Sequence, residues 1–282
     1  MRILTRTAYA KINLGLKIIS KRPDDYHDIE TTFQRISLSD VITVFPAKSG
    51  ISYFGPRVTE DTRHNLSVKA ATKFFELFKI NDGIEIALFK RIPTGAGLGG
   101  GSSDAATVLR ILAELYSIEF NDIRLVDLAI SIGADVPFFL NNFPAAIGKG
   151  LGEKLEPVEG LQHDRWILIM WPGFQVSTQQ AYREFDNSLT DASRITNLGV
   201  RSLGVESRGE SKYYHNDFES IVFSAHPALL EVRDQLLQAG AQAAGLAGSG
   251  SSLYAVFDGE SEARMAASIQ RPPWQSYICR PC

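Results

Sequence analysis

A glycine-rich stretch in the first half of the chain restricts the possible folds more than any other feature. Thr94 to Ser103 reads T-G-A-G-L-G-G-G-S-S, and five of its ten residues are glycine. The segment before it alternates, with Ile84 and Leu88 on one face of a predicted strand. The segment after it, up to Tyr116, has the apolar spacing of a helix. The sequence therefore predicts a glycine loop that joins a strand to the N-terminus of a helix.

Such a loop is suited to binding an anion. Glycines let the backbone approach a ligand closely with its N–H groups turned inward, and the start of a helix favours negative charge. Each charge-assisted hydrogen bond contributes about 1.5–3 kcal/mol, so three or four could hold a triphosphate. Ser102 and Ser103 could bind a magnesium ion or cap the helix. A flexible linker is the alternative, but a linker is not expected directly before a well-formed amphipathic helix.

The glycine loop matches no common phosphate motif in full. The pattern G-x-x-x-x-G-K-[ST] is absent, because no lysine follows the glycines. Gly95 to Gly100 does fit G-x-G-x-x-G, but a dinucleotide fold also needs an acidic residue after a second strand, about 20 residues on. Glu114 falls inside the predicted helix instead. The protein-kinase pattern H-R-D-x-x-x-x-N is also absent.

The remaining periodicities mix strands and helices without strict alternation, which favours an α+β fold. Residues 9–18 alternate as a strand, and R-P-D-D-Y-H after it predicts a turn. The polar stretch Asn187 to Lys212 is interpreted as a long loop or insertion. Further strands are predicted from Ile29 and over Val41–Phe45 and Arg165–Met170, and an apolar run follows at Leu253–Phe257. Further helices are predicted over 66–78 (with Asn65 as N-cap), Asp122–Ile132, Pro227–Ala239 and Ala263–Ile269.

Charge and hydropathy exclude several classes of partner. Lys and Arg total 29 against 32 Asp and Glu, so the formal net charge of −3 provides no basic field for nucleic acid or anionic lipid. No apolar run approaches the ~20 residues of a membrane helix, and Arg6 and Lys11 interrupt the region where a secretory signal would be apolar. We therefore expect a cytoplasmic protein with no nucleic-acid or membrane partner. Cys279 and Cys282 are expected to be two thiols on a frayed tail.

Several polar residues outside the glycine loop have ordinary interpretations when each is taken alone. Lys11 and Asn13 share one strand face about 7 Å apart, as on any solvated strand. Asp135, in G-A-D-V-P-F-F, is expected to be a polar cap before the turn that follows it. His27 beside Tyr26 could be a surface pair, since no metal-site spacing includes it.

Three motifs taken together resemble the GHMP kinase family, named for its galactose, homoserine, mevalonate and phosphomevalonate members. They are A-Y-A-K-I-N-L-G-L near the N-terminus, P-T-G-A-G-L-G-G-G-S-S-D-A-A from Pro93 to Ala106, and A-G-L-A-G-S-G-S-S from Ala244 to Ser252. The resemblance covers nearly the whole chain. It implies an α+β fold with two domains, an N-terminal ATP-binding domain over 1–155 and a C-terminal domain over 156–282, with the active site in the cleft between them.

The resemblance also implies phosphorylation of a small-molecule hydroxyl by ATP, with Mg²⁺ expected and its ligands unassigned. Within the family, R-P-D-D-Y-H and G-A-D-V-P-F-F are typical of a member that acts on a cytidine diphosphate substrate in isoprenoid precursor synthesis. Lys11 and Asp135 would be the catalytic pair, with the aspartate as base. The implied substrate contacts are Asn13, His27 at the edge of the cytosine, and Tyr26 and Tyr182 stacked on it. The implied ATP contacts are Asn65 at the adenine and Pro93, Thr94, Gly95, Ala96, Gly97, Leu98, Gly99, Gly100, Gly101, Ser102 and Ser103.

Several alternatives stay open at this point. A homoserine or mevalonate kinase would share the loop without needing two base-stacking aromatics, and Tyr182 could be a core aromatic. A nucleotide-binding regulator would gain nothing from a catalytic pair, and an NAD-dependent oxidoreductase would bind NADH. Asp25 replaces the glycine usual in the family's turn, although aspartate reaches the left-handed conformation at modest cost. The expected assembly is a monomer or a weak homodimer.

Overall fold

The computed structural model describes residues 2–56, 64–190, 215–269 and 273–282, and ten strands and eight helices lie in these ranges. The predicted polar insertion lies outside the described residues from position 191 onward. The strands are β1 (Leu4–Lys21), β2 (His27–Ala47), β3 (Ile51–Phe54), β4 (Gly83–Phe89), β5 (Ala145–Gly150), β6 (Lys154–Pro157), β7 (Trp166–Trp171), β8 (Ala243–Leu246), β9 (Leu253–Phe257) and β10 (Gln275–Cys279). The helices are α1 (Leu66–Phe78), α2 (Gly100–Leu115), α3 (Ile123–Ile132), α4 (Val136–Asn141), α5 (Thr178–Thr190), α6 (Glu219–Ala225), α7 (Pro227–Gln238) and α8 (Glu260–Ala266).

The first sheet has the order β3-β4-β2-β5-β6, with β1 paired to β2. Its pairs are antiparallel except for β3 with β4. The predicted turn after β1 is confirmed, because the Arg22 N–H donates to the Tyr26 carbonyl at 2.7 Å. Asp25 adopts φ 63° there, so the aspartate takes the left-handed conformation that a glycine would otherwise supply.

The second and third predicted strands are one continuous strand, β2. Phe33 and Gln34 are both buried, so the alternation changes phase within the strand. The pairing of β1 with β2 shifts register at three places, among them between Asn13 and Leu16. Such bulges turn side chains to the other face and increase the local twist. The prediction of two strands was wrong because a bulged strand looks interrupted in the sequence.

The helices of the first half pack on the first sheet and form one core with it. The predicted helical stripe after the glycine loop is confirmed as the buried face of α2. Members of this core include Ile42, Val44, Phe74, Ile86, Leu109, Leu112 and Phe138, each at most 1% exposed. Since α2 is held on several sides, its N-terminus has a fixed position at the edge of the sheet.

The second sheet has the order β10-β7-β9-β8 and is antiparallel throughout. It packs against the β1–β2 hairpin through a buried cluster that joins Ile12 and Ile36 to Ile169 and Tyr254. A further cluster joins the end of β1 to the second sheet and to α5–α8. The mixture of largely antiparallel sheets and packed helices confirms the α+β prediction.

The C-terminal C-R-P-C is not a frayed tail. Cys279 ends β10, pairs with Ile167 and is 2% exposed. Burial raises the pKa of its thiol to about 12, so the group stays protonated at neutral pH. The sequence prediction was wrong because one short apolar edge strand gave little signal of its own. Within the described ranges, no helix has the length and apolar character needed to cross a membrane.

Candidate active site

A single cavity of about 1540 Å³ brings the predicted site residues together. Its lining comes from β1, the turn before β2, the start of α1, the glycine loop, the α3–α4 junction, α5 and the glycine stretch after β8. Every site residue predicted from the sequence lies on this lining except Ser103. Ser103 is 1% exposed, and its N–H donates to the Gly99 carbonyl inside the first turn of α2.

The glycine loop has the backbone conformation that its composition predicts. Gly95, Gly97 and Gly99 have φ of 67°, 79° and 68°, which lie in the left-handed region. A Cβ at Gly97 would lie 2.0 Å from the Ala247 carbonyl oxygen, so only glycine permits this approach. Gly99 is the N-cap of α2. The loop therefore aims the N–H groups at the start of α2 into the cavity, where an anion is favoured.

The second glycine stretch lies against the first. The Ser252 N–H donates to the Ala96 carbonyl at 3.2 Å. Asn216, 2% exposed, donates from Nδ2 to the carbonyls of Leu246 and Gly248 at 2.9 and 2.7 Å. This asparagine fixes the stretch that packs on the glycine loop. Sequence reasoning missed Asn216 because it is 30 residues away along the chain.

Lys11 lies at the centre of a buried polar network, which corrects its interpretation as part of a solvated strand face. Lys11 and Asn13 are 5% and 2% exposed. The Lys11 Nζ donates to the Asn13 Oδ1 at 2.7 Å, and the Asn13 Nδ2 donates to the Thr31 Oγ1 at 2.7 Å. The Lys11 backbone N–H donates to the Leu98 carbonyl at 3.0 Å. The lysine is thus tied to the glycine loop by its main chain.

Asp135 faces Lys11. Its Oδ2 lies 3.5 Å from the Lys11 Nζ, and its side chain is 30% exposed toward the cavity. Asp135 is the N-cap residue of α4, but its side chain makes no capping hydrogen bond. The interpretation as a polar cap was therefore wrong in its chemistry. The carboxylate is left available at the cavity, beside a buried ammonium group.

The opposite end of the glycine loop contains Asn65 and a buried charged cluster. Asn65 is confirmed as the N-cap of α1, since its side chain accepts from the Ser67 N–H at 2.9 Å. Beneath the loop, the Lys90 Nζ bonds to Asp40 and, at 2.9 Å, to Asp104. Burial raises the pKa of Asp104 well above its usual range, and Lys90 offsets this only in part. This cluster ties β2 and β4 to α2.

The far end of the cavity is aromatic. Tyr26 is 62% exposed on the lining, whereas His27 is 5% exposed, so these two neighbours are not a surface pair. The Tyr182 ring stacks on the His27 ring with centroids 4.6 Å apart, and it meets Phe218 edge-on at 4.8 Å. Burial is the main reason that the pKa of Tyr182 rises to about 12. Tyr182 is therefore partly a core aromatic and partly a cavity wall.

Asp186 also lies at this end, and sequence reasoning missed it. It belongs to α5, one turn after Tyr182, and its carboxylate reaches His27 and Lys21. The helical spacing of four residues was the signal that could have found it. The polar composition around it concealed that signal, and the prediction of a loop from Asn187 is wrong for its first four residues, because α5 continues to Thr190.

Metal ligands are sparse around the cavity. In the part of the chain that the structure describes, no group of three His, Cys, Asp or Glu residues could hold a metal ion. Magnesium is commonly held by one or two carboxylates together with the phosphates of its substrate. The Ser102 hydroxyl on the lining fits as one protein ligand of a site in which the phosphates supply most of the oxygens, rather than a cage built of protein alone.

Comparisons with known proteins identify the family of the chain. The family model for the GHMP kinases N terminal domain matches residues 65–142, and that for GHMP kinases C terminal matches residues 206–272. The chain is 40% identical to the 4-diphosphocytidyl-2-C-methyl-D-erythritol kinase of Prosthecochloris aestuarii, covering 95% of this chain and 93% of the relative. The protein of that name from Chlorobium luteolum is 38% identical, covering 97% and 96%.

Solved structures extend the likeness to three dimensions. A crystal structure of 4-(cytidine 5'-diphospho)-2C-methyl-D-erythritol kinase has a TM-score of 0.82 and 37% identity, covering 98% of each chain. A homoserine kinase from Cytophaga hutchinsonii shares the fold alone, with a TM-score of 0.67 at 16% identity over 97% of this chain and 94% of that one. With strong relatives over nearly its whole length, the chain belongs to the GHMP kinase family of phosphotransferases.

Proposed function

We propose that the protein transfers the γ-phosphate of ATP to the 2-hydroxyl of 4-diphosphocytidyl-2-C-methyl-D-erythritol, a step in the synthesis of isoprenoid precursors. The observation that carries this proposal is the sharing of one cavity by a glycine loop, the Lys11–Asp135 pair, and an aromatic end formed by Tyr26, His27 and Tyr182. The relatives named for this activity support the choice of substrate.

ATP would lie along the glycine loop. The loop from Pro93 to Ser102 and the first turn of α2 present backbone N–H groups to the triphosphate, which is how helix N-termini hold phosphates. Asn65 would contact the adenine from its position at the N-cap of α1, where its Oδ1 accepts from the Ser67 N–H. This placement of ATP depends on the positive φ of Gly95, Gly97 and Gly99, which curves the loop around the cavity.

Asp135 would act as the base. As the 2-hydroxyl oxygen attacks the γ-phosphorus, a new O–P bond forms and the bond to the β-phosphate oxygen breaks, releasing ADP. The hydroxyl proton passes to the Asp135 carboxylate. Because the transition state of phosphoryl transfer is loose, the oxygen needs little negative charge early, and late proton acceptance suffices. General-base help of this kind is worth about 10²–10⁴-fold in rate.

Lys11 would be the electrostatic partner of Asp135. Its ammonium group lies 3.5 Å from the carboxylate and would attract the oxygens of the transferring group. The bond to Asn13 holds the ammonium group in place, and burial strengthens its field. Mg²⁺, when bound with the phosphates, would supply charge neutralisation and orientation of the γ-phosphate, and the Ser102 hydroxyl on the lining would help to hold it.

The cytidine end of the substrate would occupy the aromatic end of the cavity. Tyr26 and Tyr182 offer ring faces, and base–aromatic stacking contributes about 1–3 kcal/mol per base. His27 would hydrogen-bond the edge of the cytosine, and Asn13 would contact the substrate near the reacting hydroxyl. We also propose an N-terminal domain over 1–155 and a C-terminal domain over 156–282; the first sheet ends at Pro157, two residues past that boundary, and the second begins at Trp166.

A substrate panel tests the proposal. The purified protein is incubated with ATP, Mg²⁺ and one acceptor at a time: the cytidine diphosphate substrate, homoserine or mevalonate, with ADP release as the readout. We expect turnover with the cytidine diphosphate substrate and at least a hundredfold lower kcat/KM with the others, by the order of discrimination that polar recognition gives. Turnover of homoserine or mevalonate alone would identify a sibling kinase. Absence of turnover together with NADH binding would identify an oxidoreductase.

A further inference from the structure

Asp186 lines the cavity and has no part in the chemistry described above. Its Oδ1 lies 2.7 Å from the His27 Nε2, and its Oδ2 lies 3.0 Å from the Lys21 Nζ. The side chain is 24% exposed, and the His27 side chain is 3% exposed. Both carboxylate oxygens are therefore engaged at the end of the cavity that would receive the nucleobase.

The hydrogen bond to Asp186 sets which nitrogen of His27 carries hydrogen. Burial raises the pKa of Asp186, but the hydrogen bonds from His27 and Lys21 outweigh it and hold the pKa below its usual range. An ionised carboxylate can only accept a hydrogen bond, so the Nε2 of His27 must donate. In the neutral ring, the Nδ1 then keeps its lone pair and is an acceptor.

The His27 ring is also held in orientation. Tyr182 covers one ring face, at 4.6 Å between centroids and 12° between planes. Tyr182 and Asp186 are four residues apart on α5, so both project from the same face of one helix. The backbone of His27 is fixed by its pairing with Lys21 across the hairpin. One helix face thus determines both the plane and the tautomer of the ring.

We infer that Asp186 is a positioning residue that makes the site select cytosine over uracil, by fixing His27 as a hydrogen-bond acceptor toward the base. This inference rests on the proposed function, since it assumes that a cytidine nucleotide occupies this end of the cavity. Cytosine presents a 4-amino donor, whereas uracil presents a carbonyl acceptor at the same position. The lone pair on Nδ1 matches the amino group and opposes the carbonyl oxygen.

Asp186→Asn separates this role from support of the helix. The amide has nearly the same size, but it can donate to Nε2, which moves the ring hydrogen to Nδ1 and presents a donor to the base. An aspartate-to-asparagine change beside a histidine can leave geometry intact while reversing the tautomer in this way. The matched control is Glu184→Gln, the same change of charge on α5, at a residue bonded to Gln180 and absent from the cavity lining.

The experiment measures binding of CDP and UDP by calorimetry for the wild type and both variants, with circular dichroism as a check of folding. We expect wild type and Glu184→Gln to prefer CDP, and Asp186→Asn to bind CDP about 10–100-fold more weakly, the range for loss of a hydrogen bond of about 1.5–3 kcal/mol. The Kd for UDP should stay the same or fall, because a hydrogen on Nδ1 would meet the uracil carbonyl oxygen as a donor. With the full substrate, KM should rise while kcat stays within about threefold.

Equal weakening of CDP and UDP would overturn the inference, because it would show a merely structural role. An unchanged CDP-to-UDP ratio in Asp186→Asn would overturn it as well. Nitrogen-15 NMR of the His27 ring supplies an independent readout: we expect hydrogen on Nε2 in the wild type and on Nδ1 in Asp186→Asn, and the reverse assignment in the wild type contradicts the proposal. If Asp186 sets a CDP preference but the protein phosphorylates no cytidine substrate, the proposed function fails and this inference stands.

Discussion

The close approach of the two glycine stretches makes Gly97→Ala the sharpest structural perturbation of the site. The new Cβ would lie 2.0 Å from the Ala247 carbonyl oxygen and 2.9 Å from that of Gly250, whereas real Cβ atoms essentially never come within 3.0 Å. One of the two backbone segments must therefore move by about 1 Å. The segment after Ala247 reaches Gly248, which lies beside Lys11 and Asn13, so the movement is transmitted to the polar network.

The loss of stability in Gly97→Ala has two parts. A non-glycine residue at φ 79° loses about 1–2 kcal/mol relative to glycine. The steric conflict adds about 1–3 kcal/mol, the range for overpacked interiors. Gly97→Ala should therefore lower the free energy of unfolding by about 2–5 kcal/mol. Because a misplacement of about 1 Å near reacting groups can cost about 10²-fold, kcat/KM for ATP should fall by a similar factor.

Gly240→Ala is the matched control. Its φ is 95°, but nothing lies within 4 Å of the new Cβ, so it carries the backbone cost without the steric one. Urea unfolding of both variants and steady-state kinetics with varied ATP give the comparison. We expect Gly240→Ala to lose about 1–2 kcal/mol with normal kinetics. Equal destabilisation by the two substitutions, with an unchanged kcat/KM for Gly97→Ala, would refute the close-packing argument.

Three further predictions concern single side chains. Asp135→Asn should lower kcat by about 10²–10⁴-fold while the Kd for ATP stays within about threefold; a variant within tenfold of wild-type turnover would remove the assignment of the base. Tyr26→Ala and Tyr182→Ala should each weaken CDP binding by about 1–3 kcal/mol in calorimetry, and unchanged Kd values would exclude stacking. The hydrogen bond that His215 donates to Asp217 raises the pKa of His215. This pair therefore stabilises the fold fully below the unfolded-state pKa near 6.5 and loses that contribution as the pH rises through the folded value. His215→Asn should therefore destabilise the protein more at pH 6 than at pH 9 in urea unfolding, and an equal loss at both pH values would exclude the ion pair.

The parts of the fold that were predictable have strong local signals. The glycine loop, α2 and the turn at Asp25 follow from residue types at fixed spacings, and each was found. The short strands β3, β5, β6, β8 and β10 were missed, because four to six residues give little periodicity. The continuity of β2 was hidden by a bulge, whose effect on alternation appears only once the partner strand is known.

The candidate site was predictable where a motif carried it and not where distant segments meet. Lys11 and Asp135 are 124 positions apart, and periodicity alone gave each an ordinary role; only the resemblance paired them. Lys11 is buried by segments distant in sequence, since Gly99 and Gly248 lie beside its side chain and its Nζ lies over the Phe33 ring. Asn216 and Asp186 act through partners 30 and 159 positions away. No single-sequence pattern encodes such contacts, since they depend on the tertiary fold.

The proposal that the protein phosphorylates the 2-hydroxyl of its substrate is tested by locating the transferred phosphate. Phosphorus-31 NMR follows the reaction of the purified protein with ATP, Mg²⁺ and 4-diphosphocytidyl-2-C-methyl-D-erythritol. We expect one new phosphate ester for each ADP formed. The phosphorus coupling and the carbon chemical shifts of the product should locate this ester on the 2-hydroxyl. ADP formation with free phosphate and no ester, or an ester on a different hydroxyl, would contradict the proposed transfer to the 2-hydroxyl.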